Sequence, residues 1–161
     1  MNLHLGNAPA TSDGVLRVTA VACAIAVGVH GMDHLRRGLS ASPKSVVIGG
    51  FIQAVLVATA VVLTFTRYRR TPEIAIFVGF GSAILFTYAH VLPKWIHFLS
   101  DSFVSAPHSG VTWFSWLTAV IEITADSAFA LAGVRAIRTR QEPAARIVDV
   151  ADRGLPRTSA R

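Results

Sequence analysis

The sequence predicts an all-α, polytopic membrane protein in which four transmembrane helices form a compact bundle. Two observations lead to this fold class. Only 15% of the 161 residues are charged and 52% are hydrophobic, whereas soluble domains are typically about 25% charged. The charged residues also fall in short clusters between four apolar blocks, each long enough to cross a hydrocarbon core about 30 Å thick as a helix. In lipid such blocks form helices, because an open sheet would leave backbone groups unpaired.

The four spans follow from the apolar blocks in chain order. We place them at about residues 15–35, 46–66, 74–92 and 111–134, and Pro93 ends the third. Small residues recur within the spans at helix-packing spacing, which lets neighbouring helices approach closely. These residues are Ala20, Ala24 and Gly28, then Gly50, Ala54 and Ala58, then Gly79 and Ala83.

The segments that flank the spans are polar. Residues 1–14 contain no Lys or Arg, so they lack the charged region that opens a signal peptide. The first apolar block continues into "HGMDHLRRG" without a cleavage site, and we expect it to be retained as a helix. Residues 135–161 form a basic tail, which we expect to continue span 4 briefly and then to be largely disordered, since it is charged and poor in aromatic residues.

The distribution of basic residues predicts the orientation. With four spans, both termini lie on the same side as the loop between spans 2 and 3. The near-membrane basic residues on that side are Arg17, Arg67, Arg69, Arg70, Arg135, Arg138 and Arg140, against Arg36, Arg37, Lys44 and Lys94 on the other. This excess favours a multi-pass protein of the cell membrane with cytoplasmic termini. Trp95, Trp113 and Trp116 fall at the opposite ends of spans 3 and 4, where an aromatic belt is expected.

The segment "PKWIHFLSDSFVSAPHSG" between spans 3 and 4 predicts a short interfacial helix. Its apolar residues Trp95, Ile96, Phe98, Leu99 and Phe103 would lie on one side, against the outer leaflet. His97 and Asp101 are four residues apart on the other side. They are candidates for the outer lip of a site, and the alternative is a solvated pair with no function.

The stretch "GVHGMDHLRRG" at the end of span 1 carries the main candidate site. His30, Asp33 and His34 share one helix face, and two imidazoles at positions i and i+4 can bind one metal ion. His90 on span 3 would lie in the same outer layer and could supply a third nitrogen. Asp33 could bind the ion or orient an imidazole. Imidazole donors suit a transition-metal ion such as zinc, copper or iron.

Two other interpretations of this stretch stay open. Haem fits less well, because two histidines on one helix face cannot take opposite axial positions, and one of them would have to pair with His90. Asp33 can also form helix-end ion pairs with Arg36 and Arg37 at i+3 and i+4, which explains it without any metal. The histidines would then be amphipathic residues at the membrane interface.

Glu122 and Asp126 form a third candidate site inside span 4. They are four residues apart on one helix face and near the middle of the membrane. Acidic residues at that depth are costly, so they should face the bundle interior and serve a function by default. We interpret them as a proton relay. The alternative is that they hydrogen-bond neighbouring helices together.

Several function classes find no support in the sequence. There is no glycine-rich phosphate loop, no nucleophile elbow and no C-x-x-C motif, and the single cysteine, Cys23, is interpreted as a small buried apolar side chain. The net charge of +6 does not predict nucleic-acid binding, since the basic residues flank apolar spans.

The leading hypothesis is a small integral membrane protein, with the lipid bilayer as its surroundings, that binds a metal ion or relays protons in transport. The alternative is an accessory or assembly subunit of a larger membrane complex, and a homo-oligomer is also open. Enzymatic activity ranks third.

Overall fold

The computed structural model describes residues 12–105 and 110–154, and it describes side chains as far as Gln141. Every long element in these residues is a helix. Helix α1 is Ser12–Arg37, α2 is Lys44–Phe65, α3 is Thr71–Phe86 and α4 is Trp113–Gly154. Two 3₁₀ turns, Leu39–Ala41 and His97–Leu99, and a π-helical segment, Thr87–Val91, complete the described elements.

Four of the helical segments are long and apolar enough to cross a membrane, which confirms the predicted all-α class with four candidate spans. They are Asp13–Arg37, Lys44–Phe65, Thr71–Val91 and Trp113–Gln141. Short connections join α1 to α2 and α2 to α3, which makes each pair antiparallel neighbours. Helix α4 packs against both α1 and α3, and α2 packs on the other side of the same two helices.

The packing of α3 on α4 depends on two glycines. A Cβ atom at Gly79 would lie 2.5 Å from the Asp126 carbonyl oxygen and 2.8 Å from the Ala130 nitrogen. A Cβ at Gly133 would lie 2.6 Å from the Pro72 carbonyl oxygen. The two backbones therefore meet at distances that only glycine permits, which is how small residues act in helix packing.

The two ends of the bundle differ in chemistry. We call the end that holds the C-terminus of α1 and the N-terminus of α4 the histidine end. The opposite end, with the α2–α3 loop, is the arginine end. A core of mostly small and branched side chains, including Ala20 and Val57, packs around Phe129 in the arginine half. At the histidine end Phe86 and Phe103 are buried with Ala119.

Helix α1 ends at the histidine end, where Gly38 adopts a φ of 85° that favours glycine.

Span 3 ends nearby at Pro93, as expected. Because proline has no N–H, the Ala89 carbonyl loses its helical partner, and it accepts from the backbone N–H of Asp101 at 2.9 Å. The His90 carbonyl likewise accepts from the N–H of Phe103 at 2.8 Å. The loop after span 3 is therefore docked onto the π-helical segment.

This docking differs from the predicted interfacial helix. The structure has one 3₁₀ turn, His97–Leu99, in place of a longer helix. Trp95 and Phe98 are exposed, as a membrane interface requires, but Phe103 is 7% exposed and faces the bundle. The backbone bonds at Asp101 and Phe103 hold the loop in a non-helical shape, which overrides its helical periodicity.

The basic tail also differs in extent from the expected span. Helix α4 continues past Val134 as far as Gly154, and the expected disorder of most of residues 135–161 stays a prediction. Residues 155–161 and most of the polar segment 1–14 lie outside the described residues.

Candidate metal centre

Three histidines converge at the histidine end. His30 and His34 come from α1 and His90 from the π-helical segment, and one ring nitrogen from each lies within 4.8 Å of the others. The ring centroids are 4.9, 5.0 and 5.4 Å apart. His30 and His90 are 3% and 2% exposed, and His34 is half-buried. The predicted grouping of these three residues is therefore present in the structure.

Hydrogen bonding fixes the tautomer of His30. Its Nδ1 lies 3.0 Å from Thr118 Oγ1, and the Thr118 hydroxyl donates to the Ser115 carbonyl at 3.0 Å. Because that hydroxyl has a single proton, the Thr118 oxygen accepts from the His30 Nδ1–H. The lone pair of His30 is then on Nε2, which is buried and has no partner among the described residues. This is the state in which an imidazole binds a metal ion.

His34 has two partners at one ring nitrogen. Its Nδ1 lies 3.1 Å from Ser42 Oγ, and Ser42 donates to Asp101 Oδ2 at 2.8 Å. Arg37 Nη2 lies 3.2 Å from the same nitrogen and also donates to Asp101 Oδ2 at 2.6 Å. Because a guanidinium nitrogen only donates, Arg37 favours the lone pair on Nδ1, whereas Ser42 favours a proton there, so these contacts do not fix the tautomer of His34.

His90 is the least constrained of the three. Its Nδ1 is buried without a hydrogen-bond partner among the described residues, and Asp101 Oδ2 is 3.8 Å away. Both Phe86 and Phe103 pack on its ring, with centroids at 4.4 and 4.9 Å. These aromatic side chains keep the cluster dry, which strengthens electrostatic interactions inside it.

The cluster can accept a metal ion after a small contraction. Zinc binds imidazole nitrogen at about 2.0–2.1 Å, which places tetrahedral ligands about 3.3 Å apart. Nitrogens within 4.8 Å of one another reach this spacing by side-chain rotation of roughly 1 Å. Three histidines leave a fourth position open for water or another ligand. A haem is not favoured, because the three rings contact one another and leave no room between them for a porphyrin.

Asp33 does not join the histidines. Its Oδ1 accepts from Arg36 at 2.8 Å and its Oδ2 accepts from Arg37 at 3.1 Å, and its side chain is fully buried. The ion-pair interpretation of this residue, and not the ligand interpretation, therefore describes its geometry. Arg36 also donates to the Gly110 carbonyl and to Ser115 Oγ, which links the end of α1 to the start of α4.

The two residues predicted to form the outer lip, His97 and Asp101, lie in different surroundings. Asp101 is 3% exposed and bonds Arg37 and Ser42 beside the cluster. His97 is exposed on the 3₁₀ turn, so the two do not pair. Arg37 is buried between Asp33 and Asp101, and its guanidinium lies 5.3 Å from the Phe103 ring.

Glu122 and Asp126 lie deeper in the bundle, both at most 1% exposed. Gln53 of α2 donates to Glu122 Oε1 at 2.9 Å and to Asp126 Oδ2 at 3.4 Å. Cys23 of α1 donates its thiol hydrogen to Asp126 Oδ1 at 3.0 Å. The interpretation of Cys23 as an apolar filler therefore missed its polar contact.

The sequence analysis also did not predict that Thr118 and Ser42 contact the histidines. One signal was present in span 4, where Ser115, Thr118, Glu122 and Asp126 recur every three or four residues as one polar face. No comparable signal existed for Ser42, because its contact with Asp101 joins two loops 59 residues apart in sequence.

The fold and the cluster together define a class, an all-helical protein with four potential membrane-spanning helices and a group of three histidines suited to a metal ion. No protein-family model, curated protein or solved structure matches the chain.

Proposed function

We propose that this protein is an integral membrane protein that binds a transition-metal ion through His30, His34 and His90. The main support for the proposal is Nε2 of His30, which is buried and has no hydrogen-bond partner among the described residues. The other ring nitrogen, Nδ1, is hydrogen-bonded to Thr118. A buried polar atom without a partner costs free energy, and a metal ion would satisfy it. The all-imidazole donor set suits zinc, copper or iron.

A role in transport is supported by the polar seam between α1 and α4. On α4 the seam runs from Ser115 through Thr118 and Glu122 to Asp126, and all four are at most 1% exposed. By helix rise this distance is about 16 Å, half the thickness of a bilayer core. An ion or proton that enters at the histidines would contact polar groups along this line and would then reach the carboxyl groups of Glu122 and Asp126, deeper in the bundle.

The test is the metal content of the full chain purified in detergent. The wild type should carry about one ion per chain at the histidine cluster, and His30→Ala, His34→Ala or His90→Ala should each lower its affinity by at least tenfold. His97→Ala is the matched control, since His97 is exposed at the same end of the bundle, and it should bind as the wild type does. Unchanged metal content in the triple alanine variant would contradict the proposal.

An accessory or assembly subunit is the second candidate. It is favoured by one observation, the hydrogen bonds of Gln53, Glu122, Asp126 and Cys23, which tie α1, α2 and α4 together as interhelical contacts. The same purification separates the two functions. A metal-free chain that elutes with other subunits in fixed ratio supports the accessory role, and a homo-oligomer or monomer with bound metal supports the metal site.

A further inference from the structure

A second group of ligand-type side chains lies in the middle of the bundle, separate from the histidines. It consists of Cys23 on α1, Gln53 on α2, and Glu122 and Asp126 on α4. Asp126 is at its centre, since one carboxylate oxygen contacts Cys23 and the other contacts Gln53. Cys23, Glu122 and Asp126 are at most 1% exposed. We call these four residues the mid-bundle group.

The charge of the mid-bundle group is not balanced by the protein. Among the described residues, no Lys, Arg or His forms an ion pair with Glu122 or Asp126. Buried carboxylates without a counter-charge are strongly disfavoured in a low-dielectric interior, and those within membranes pair with other groups or mark ion pathways. Either a proton on each acid or a bound cation would remove this charge, and a cation between the two acids would do so for both at once.

Glu122 supplies an independent indication of a ligand. Its Oε1 accepts from Gln53, but its Oε2 is buried and has no hydrogen-bond partner among the described residues. The Gln53 amide nitrogen lies between the two acids, 2.9 Å from Glu122 and 3.4 Å from Asp126. That nitrogen carries partial positive charge and occupies the position where a cation would contact both carboxylates. Rotation of the amide would present its oxygen as a further donor.

We propose that Cys23, Gln53, Glu122 and Asp126 form a second binding site, specific for a divalent transition-metal ion. The thiol decides the class of ion, because sulfur ligands select zinc and similar metals over magnesium or calcium. On binding, the Cys23 S–H bond breaks, a sulfur–metal bond forms and the proton leaves to solvent or a carboxylate. The ligand atoms of Cys23, Glu122 and Asp126 do not all lie within the 4.8 Å of one another that the three histidines satisfy, so metal binding requires the Glu122 and Cys23 side chains to rotate inward. The inference goes beyond the proposed function, since this site can fill whether or not the histidine cluster does.

The two sites can be distinguished with Co²⁺ as the only metal added to the detergent-purified full chain under reducing conditions. Thiolate–cobalt bonds give a charge-transfer absorption in the near ultraviolet, which imidazole ligands do not give. Because Cys23 is the only cysteine in the sequence, such a band reports the mid-bundle site alone. We expect the wild type to show this band, Cys23→Ser to lose it, and Glu122→Gln to weaken Co²⁺ binding at this site by at least tenfold.

Variants of the histidine cluster serve as the cross-check. His30→Ala should retain the charge-transfer band and lose only the part of the visible absorption that comes from the imidazole-bound ion, since the ion at the mid-bundle site has a visible absorption of its own. Cys23→Ser should retain that visible absorption, which also shows that the variant folds. The absence of a charge-transfer band in the wild type would overturn the inference, and so would its loss in His30→Ala. If the histidine cluster fails to bind but the band is present, the proposed function fails and the second site stands.

Discussion

At the scale of single residues, the state of His30 depends on a neighbouring hydroxyl group. Thr118 accepts from His30 Nδ1 because its own proton is donated to the Ser115 carbonyl. This hydrogen bond places the lone pair of His30 on Nε2. Groups that orient metal ligands in this manner typically contribute 10–100-fold to metal affinity.

The first residue-scale prediction follows for Thr118. Thr118→Val keeps the side-chain shape and removes the acceptor, so His30 Nδ1–H becomes a buried donor without a partner. We expect metal affinity at the cluster to fall by about 10–100-fold, measured by competition with a chelating dye. Thr118→Ser restores the hydroxyl and should recover most of this loss.

The control for this prediction is Thr124→Val on the same helix. Thr124 is exposed, and its hydroxyl bonds only the Val120 carbonyl of its own helix. Its removal should leave the affinity unchanged. If Thr118→Val binds metal as tightly as the wild type, the hydroxyl does not set the state of His30.

Asp33 shows why residue roles were harder to predict than residue positions. Its spacing allowed both metal ligation and ion pairing with Arg36 and Arg37. The two arginines take both of its oxygens, because ionised donors form the strongest hydrogen bonds to a carboxylate. Spacing along a helix fixes which residues share a face but not which of several partners is bound.

At the scale of elements, close contact between α3 and α4 positions the acidic residues. Gly79 packs on the backbone of α4 at Asp126 and Ala130. We expect Gly79→Ala to push α3 and α4 apart and to destabilise the protein by about 1–3 kcal/mol, as overpacked cores do. The measurement is thermal unfolding in detergent, followed by helical circular dichroism.

Gly81 is the matched control on the same helix, because a Cβ there meets no atom within 4 Å. Gly81→Ala gains helix propensity of up to about 1 kcal/mol, so it should unfold at the same temperature as the wild type or higher. Equal stability of Gly79→Ala and Gly81→Ala would contradict the close helix contact.

The helices were predictable from sequence, and the loop between spans 3 and 4 was not. The predicted first span, 15–35, lies within the observed Asp13–Arg37, because an uninterrupted apolar run leaves few alternatives. The segment around His97 has helical periodicity but forms one 3₁₀ turn. Its shape depends on carbonyl groups at Ala89 and His90 that the end of span 3 frees, and such long-range partners leave no local signal.

At the scale of the whole molecule, the two ends differ in how their basic residues are used. At the histidine end, Arg36 and Arg37 are paired with Asp33 and Asp101. At the arginine end, no Asp or Glu among the described residues lies within ion-pair distance of Arg67, Arg69 or Arg70. The cytoplasmic side of a membrane protein carries an excess of Lys and Arg near its spans, whether or not these residues form ion pairs. The larger number of basic residues at the arginine end therefore predicts that this end is cytoplasmic and that the histidine end is outside.

The orientation can be tested by accessibility of single introduced cysteines. Tyr68 is 48% exposed at the arginine end, and Val104 is 61% exposed at the histidine end. Cys23 is fully buried, so the unmodified chain is the unlabelled control. In intact cells, a membrane-impermeant thiol reagent should label Val104→Cys and not Tyr68→Cys, and both should react after permeabilisation. The reverse pattern in intact cells would place the three histidines on the cytoplasmic side, and a metal ion would then reach them from within the cell.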